Sequence, residues 1–130
     1  MSLLEECLEA LGENKKIIID KNKQDEIMFY LNKDFPFTSW GRIDWGSIKN
    51  KLRIIEQQQL IDQLQKNKKG DPLYIIWDEA SLPVIKSNFK TVISHLDDVT
   101  AVSFDTWLYC PSEGWVVEFY HEGEITLGFV

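Results

Sequence analysis

The segment AVSFDTWLYCPSEGWVVEFYHEGEITLGFV, residues 101–130, decides the fold that the sequence predicts. It contains three β-prone runs, 101–109, 115–121 and 125–130, joined by the short turn sequences PSEG and EGE. Strands joined by so few residues, with Gly and Pro in the joints, pair with their chain neighbours as hairpins. The segment therefore predicts an antiparallel meander of three strands.

Upstream of the meander lies LYIIW (73–77), an unbroken β-prone run. The stretch 82–95 predicts a helix, with Pro83 in its first turn, where the missing N–H costs nothing, and with His95 capping its C-terminal end. A strand, a helix and a strand in succession predict a right-handed βαβ crossover. The expected fold class is therefore α+β: a mixed, mainly antiparallel sheet with a C-terminal βαβββ order, covered by N-terminal helices.

The N-terminal half is predicted to be mostly helical. Ser2 and Glu5 have the form of a capping box ahead of a leucine repeat that Gly12 ends. The three isoleucines of KKIIID favour a short strand. The predicted helices cover residues 3–11, 23–32 and 47–69, and an aromatic loop covers residues 35–46.

The strand at 101–109 alternates between two kinds of side chain. One face carries Val102, Phe104, Thr106 and Leu108, and the other carries Ser103, Asp105, Trp107 and Tyr109. With the helices on the first face, the second face is expected to be exposed. Aromatic rings among acids are good anchors for a cationic partner. Ordinary packing of these rings is the alternative, and it is the expectation for Trp77 and Trp115.

The composition indicates one globular domain, residues 1–130. Hydrophobic residues make up 44% of the 130 and charged residues 27%, which is too apolar for a disordered chain and a normal size for a single core. The N-terminus lacks a basic signal region, and no run reaches the roughly 18 apolar residues of a membrane span. Cys7 and Cys110 have no metal-type spacing and indicate reduced thiols. We expect a cytoplasmic protein.

The negative charge is concentrated in the second half of the chain. The net charge is −7; residues 1–70 carry 12 Lys and Arg against 11 Asp and Glu, a balance of +1, whereas residues 71–130 carry 2 against 10, a balance of −8. Such a half repels nucleic acid and anionic membranes and attracts a basic protein. The alternative is the ordinary acidity that keeps proteins soluble.

The sequence lacks the motifs of phosphate-binding, dinucleotide-binding, zinc-protease and serine-hydrolase sites. We therefore predict no enzymatic activity, no cofactor and no metal. One alternative remains open: His121 stands among Glu118, Glu122 and Glu124, and a Glu/His group of this kind could serve a small-ligand site or an enzyme beneath the aromatic loop 35–46.

The prediction for function is a partner-binding surface. Acids with a few aromatic anchors would meet a basic protein, and their role would be electrostatic steering and burial against the partner. The residues predicted to form this surface are Asp78, Glu79, Asp105, Trp107, Tyr109, Glu118 and Glu122. Whether the aromatic loop 35–46 is pinned to the core or displayed to a partner stays open.

A family resemblance points the same way. The segments IIWDEASLPVIKSNF, DDVTAVSFDTWLY and WVVEFYHEGEITLGF, within residues 71–130, resemble small bacterial immunity proteins of contact-dependent and polymorphic toxin systems. The resemblance implies a cytoplasmic protein without enzymatic activity that binds a cognate toxin domain, often a basic nuclease, and occludes its active site. It transfers no functional residue, because these families diverge in their binding surfaces.

A generic interaction adaptor is a further alternative. The helix predicted over 47–69, with Lys66, Lys68 and Lys69 complementing its C-terminal end, would offer an exposed face. The strand 125–130 would offer a sheet edge open to strand addition or to pairing between two copies. The expected state is a monomer or a weak homodimer.

Overall fold

A sheet of antiparallel strands forms the centre of the computed structural model, which describes residues 1–65 and 72–130. The strands of this described part are β1 Lys16–Ile18, β2 Asn50–Ile54, β3 Leu73–Trp77, β4 Val84–Ser87, β5 Thr106–Cys110, β6 Trp115–Phe119 and β7 Ile125–Phe129. Their order across the sheet is β1-β4-β3-β5-β6-β7-β2. The helices are α1 Leu3–Leu11, α2 Lys21–Asp34, α3 Gln57–Leu64, α4 Phe89–Ser94 and α5 Leu96–Thr100. The α+β class is confirmed.

The predicted meander is confirmed in β5, β6 and β7. The three strands are adjacent and antiparallel, and Leu108, Val117 and Leu127 are aligned across them. The two turns contain Gly114 with φ 74° and Gly123 with φ 96°, backbone conformations that side chains with a Cβ rarely adopt. Short glycine turns therefore fix this part of the fold locally.

The helix predicted over 82–95 is wrong, and so is the βαβ crossover. Val84–Ser87 forms β4, which pairs antiparallel with β3, and β3 pairs antiparallel with β5. Only Phe89–Ser94 is helical; the Asn88 side chain caps it by accepting from the Thr91 N–H at 2.9 Å. Pro83 precedes Val84 and Ile85, two β-branched residues that favour a strand. The fixed φ of proline is compatible with the start of a strand as well as with the first turn of a helix. His95 stands at the C-cap position of α4, where its backbone N–H donates to the Val92 carbonyl at 3.1 Å; the predicted capping by its side chain stays a prediction.

The helix predicted over 47–69 is also wrong. Asn50–Ile54 pairs antiparallel with β7, and α3 begins after Glu56, whose backbone N–H donates to the side-chain oxygen of Gln59 at 2.9 Å. The spacing of Ile48, Leu52 and Ile55 suits a helix, whereas the alternation of Leu52, Arg53 and Ile54 suits a strand, and pairing with β7 decides between them. Lys66, Lys68 and Lys69 lie outside the described residues.

The first helices agree well with their predictions. The Ser2 and Glu5 capping box forms, and Gly12 ends α1 with φ 61°. The strand in KKIIID is β1, which pairs with β4. The second helix is longer than the predicted 23–32, because Asp20 caps it and it continues to Asp34.

Helices cover both faces of the sheet. On one face, α1, α3, α4 and α5 pack through Leu11, Leu60, Val92 and Val99 onto a cluster that includes Trp115. On the other face, α2 and the aromatic loop pack against a second cluster; its buried members are Ile18, Ile27, Leu31, Phe35, Ile43, Ile76, Val84, Trp107, Tyr109 and Val116. The prediction that the second face is exposed is therefore wrong.

Two strands lie at the edges of the sheet, β1 at one side and β2 at the other. The C-terminal strand β7 lies between β6 and β2, so the prediction that it forms an edge is wrong. Trp77 and Trp115 are in the core as predicted, and Cys7 and Cys110 are buried thiols. No helix in the described ranges is long and apolar enough to span a membrane.

Candidate functional site

One end of the sheet gathers four of the predicted contact residues. β3 ends at Trp77 opposite the start of β5 at Thr106, and β6 ends at Phe119 opposite Thr106. Because these strands are antiparallel, the residues that follow β3, precede β5 and follow β6 leave the sheet at the same end. They include Asp78, Glu79, Asp105 and Glu122.

Asp78 and Glu79, which we call the acidic ridge, are exposed in the turn between β3 and β4. Both residues line two clefts at once. Adjacent carboxylates in such a position are open to water and to a cationic group from two directions. The ridge is therefore an accessible part of the acidic end of the sheet.

The first cleft, which we call the α2 cleft, has a volume of about 510 Å³ and lies between α2, the aromatic loop and the acidic ridge. Asp25 and Met28 line it from α2, and Asp105 and Trp107 line it from the sheet. Trp40 lines it from the aromatic loop and is 74% exposed. The cleft thus combines carboxylates with an exposed indole, a pairing that favours guanidinium and ammonium groups.

The second cleft, which we call the Phe104 cleft, has a volume of about 550 Å³ and is lined by residues 101–104, Leu3 and the acidic ridge. The Phe104 ring is 79% exposed and lies edge-on to the His121 ring, with 6.2 Å between their centroids. Exposed aromatic rings near carboxylates are typical anchors at protein interfaces. Sequence reasoning placed Phe104 in the core, because it assumed that the strand began at residue 101.

Asp105 forms hydrogen bonds with both Asp78 of the acidic ridge and His121. Its backbone N–H donates to the Asp78 carboxylate at 2.9 Å. Its own carboxylate accepts from the His121 backbone N–H at 2.7 Å and lies 2.9 Å from His121 Nδ1. The His121 ring also packs on Tyr120 at 4.3 Å between centroids. The imidazole is thereby tied to Asp105 rather than to the glutamates of the small-ligand hypothesis.

Glu118 lies beneath this end, with 0% of its surface exposed. One carboxylate oxygen accepts from Arg42 Nε at 3.0 Å, from Arg42 Nη2 at 2.8 Å and from Trp45 Nε1 at 2.9 Å. The other accepts from the Ile43 backbone N–H at 2.8 Å and from Trp107 Nε1 at 3.0 Å. A buried carboxylate is tolerated when it is paired and hydrogen-bonded in this way. Glu118 therefore pins the aromatic loop to the sheet.

Arg42 completes that attachment. Besides Glu118, it donates to Glu124 at 3.3 Å and places its guanidinium 4.0 Å over the Tyr120 ring. Burial lowers the pKa of Arg42, but the bonds and charges of Glu118 and Glu124 outweigh it, so its pKa lies above the ordinary value. Sequence reasoning missed Arg42; the available signal was a lone arginine within the aromatic stretch SWGRIDWG.

Trp107 and Tyr109, predicted to be exposed contacts, are 3% and 1% exposed. The Tyr109 hydroxyl donates to Asp34 at the end of α2, with 2.6 Å between the oxygens. Burial, followed by the bond to Asp34 and its charge, raises the pKa of Tyr109 above its ordinary value. The sequence contains a signal for this burial: Ile27 and Leu31 lie on one side of α2 and need an apolar surface to pack against. In the structure that surface is the sheet face with Trp107 and Tyr109.

The seven predicted contact residues thus fall into a group at the surface and a group in the interior. Asp78, Glu79 and Glu122 are exposed and Asp105 lies just below them, whereas Trp107, Tyr109 and Glu118 are interior. The aromatic loop is divided as well, since Phe35 is buried and Trp40 is displayed. Within residues 1–65 and 72–130, no group of three or more His, Cys, Asp or Glu side chains could hold a metal ion.

Comparison with known proteins extends over almost the whole chain. The family model described as CdiI immunity protein EcoliA0-like matches residues 1–128. The match includes the N-terminal helices and β2. These elements lie outside residues 71–130, the part of the sequence that resembles immunity proteins. No curated protein matches the chain significantly.

Proposed function

This chain belongs to the CdiI immunity protein family, EcoliA0-like, and we propose that it neutralises a cognate toxin by covering a basic active site with the acidic end of its sheet. Immunity to a toxin is the function of the family. The residues that meet the toxin, the class of toxin and the cytoplasmic setting are the proposed part. No catalytic step by the immunity protein itself is required.

The observation that carries the proposal is the position of the acidic ridge between two exposed rings. Asp78 and Glu79 line both clefts, with Trp40 in one and Phe104 in the other. Interfaces are dominated by a few aromatic anchors surrounded by complementary charge. We assign steering to the ridge and to Glu122, and anchoring to the two rings.

The interior members of the predicted set support this surface from below. Trp107 contributes to the floor of the α2 cleft, Glu118 holds the loop that displays Trp40, and Tyr109 holds the end of α2 through Asp34. A contact surface on such a fixed scaffold loses little entropy when the partner binds. These residues therefore act on toxin binding by positioning other groups.

A nuclease is the toxin class that suits this surface best. A nuclease must attract phosphate with a basic cleft, and an inhibitor that competes there must offer negative charge. The half of the chain that carries the ridge has the −8 balance. Occlusion of a basic active site by carboxylates would exclude the nucleic acid directly.

The test is the double charge reversal Asp78→Lys with Glu79→Lys. Its rate of association with the toxin domain encoded beside this gene should fall by about ten-fold or more at low salt, and the difference should shrink as salt screens the charges. The matched control is Glu13→Lys with Asp62→Lys, exposed acids in the turn after α1 and on α3, which changes the net charge equally. Equal slowing in both variants, or in neither, would contradict a role for the ridge.

A further inference from the structure

Within the part of the chain that the structure describes, one side of the β2 backbone has no neighbouring strand, because β2 stands last in the order of the sheet and pairs with β7 alone. A sheet edge of this kind presents a row of N–H and C=O groups that a further strand can bond. The four residues from Asn50 to Arg53 are exposed. The side chains of this strand are therefore open to contact with a partner.

Basic side chains alternate along this edge at positions 49, 51 and 53. Lys51 and Arg53 lie within β2 and point to one face of the sheet, and Lys49 precedes them at the same two-residue spacing. Opposite residues of two paired strands share a face. Every second side chain of an added strand would therefore lie beside these basic side chains. A strand with acids at alternate positions would match it.

The surroundings of the edge also contain several cationic side chains. Lys51, Arg53 and Arg42 line a cleft of about 470 Å³ together with Trp40 and Trp45. The described part of that lining also carries the carboxylates of Asp44 and Glu124, and Glu124 lies 3.5 Å from Arg53. Arg42 is paired with the buried Glu118 and with Glu124, so within residues 1–65 and 72–130 the cations of this edge that lack an ion pair are those of Lys49 and Lys51.

A second copy of this chain does not fit the edge. Two β2 strands that paired antiparallel about a two-fold axis would place Lys51 and Arg53 of one copy opposite the same residues of the other. Like charges directly opposite each other are unfavourable across a strand pair. Lysine on an edge strand protects against such self-pairing.

Protection against aggregation alone does not account for the edge. The other face of the strand carries Leu52, 37% exposed, and Ile55 follows the strand at 81% exposed. Exposed aliphatic side chains work against a purely protective role, but they offer apolar contact to an added strand.

We propose that the open edge of β2 receives an extended, acidic strand of the cognate toxin. This inference rests on the proposed function, because the toxin is the protein that supplies the strand. It adds a second contact of opposite charge to the acidic ridge, and Trp40, which lines both the α2 cleft and the cleft beside β2, lies between the two. Backbone bonds would supply affinity, and the alternating cations would fix register.

Hydrogen exchange in the complex with the toxin domain tests the proposal. Exchange of backbone amides within residues 49–55 should slow by about ten-fold or more on binding, since outward-facing N–H groups gain acceptors. The variant Lys49→Glu with Lys51→Glu should weaken binding by roughly five- to ten-fold. The control Lys33→Glu with Lys90→Glu makes the same charge change at exposed positions elsewhere and should leave affinity unchanged.

Other outcomes overturn the proposal. Unchanged exchange at 49–55 in a fully formed complex would exclude strand addition, and so would equal loss of affinity in the edge variant and its control. Protection of 49–55 by a single-stranded oligonucleotide, and not by the toxin domain, would assign the edge to nucleic acid. If reversal of Asp78 and Glu79 has no effect while 49–55 is protected, the ridge proposal fails and the edge proposal stands. If the toxin domain does not bind at all, both fail.

Discussion

Trp107 and Glu118 face each other across β5 and β6, and the indole Nε1 donates to the buried carboxylate at 3.0 Å. The same carboxylate accepts from Arg42, Ile43 and Trp45 of the aromatic loop. Residues far apart in the chain therefore meet at one side chain. The loop that displays Trp40 is held through this contact.

Replacing Glu118 with alanine should be strongly destabilising. The change leaves Arg42 with Glu124 as its remaining carboxylate and leaves the Ile43, Trp45 and Trp107 N–H groups without their acceptor. Breaking a buried charge pair in this way costs about 3–5 kcal/mol. Urea unfolding should show a correspondingly lower midpoint. Glu122→Ala, at an exposed turn position, is the control and should change stability by less than about 0.5 kcal/mol. Equal stability of the two variants would contradict the role assigned to Glu118.

Arg42→Lys should loosen the loop without unfolding the sheet. Lysine keeps the charge but loses the forked donation to Glu118 and the flat contact over the Tyr120 ring, which is worth roughly 1–2 kcal/mol. Faster exchange of the Ile43 amide, with little change in the amides of β5, is the expected readout. Uniform acceleration across both would mean that Arg42 supports the whole fold rather than the loop.

Gly128→Ala tests how closely the loop packs on β7. A Cβ at this position would lie 2.6 Å from Cζ3 of Trp45 and 3.4 Å from Cε1 of Phe35. Overpacking of this kind costs about 1–3 kcal/mol, which thermal or urea unfolding would detect. Gly46→Ala is the matched control, because its nearest atom would be 3.5 Å away on the Asp44 side chain. The idea fails if Gly128→Ala is as stable as the control.

Stability should fall in alkaline solution partly through Cys7. Burial, followed by the charge of Asp98, raises the pKa of the Cys7 thiol from 9.0 to about 11. The unfolded thiol ionises first, so the unfolded state binds fewer protons, and this contribution to stability is lost as pH rises from about 9 to about 11. Tyr109, whose pKa is also raised, contributes in the same direction at still higher pH.

The variant Cys7→Ala separates the two contributions. Comparison of urea midpoints at about pH 8 and about pH 10.5 should show a smaller decrease for the variant than for the parent, because only the parent retains the buried thiol. Alkylation of the native parent should also be slow at about pH 8, since the thiolate is the reactive form. Identical pH dependence in both proteins would rule out Cys7 as the source.

Local features of the sequence determined the meander, the first helix and the chemical character of the acidic end. PSEG and EGE are turns whose glycines adopt positive φ, and hairpins of this length specify their own pairing. The capping box at Ser2 likewise acts within one turn of helix. The concentration of acids after residue 71 is a property of composition, and the antiparallel strands then carried Asp78, Glu79, Asp105 and Glu122 to one end.

Tertiary structure alone decided β2, β4 and the cover on the second face. NKLRI and PVIKS are compatible with a helix or a strand, and only the unpaired edges of β7 and β3 select the strand. Trp107 and Tyr109 are buried because α2 and the aromatic loop need the same apolar surface, a match between segments about 75 residues apart that no local pattern encodes. Periodicity shows which side chains share a face, but the partner of that face depends on the whole chain.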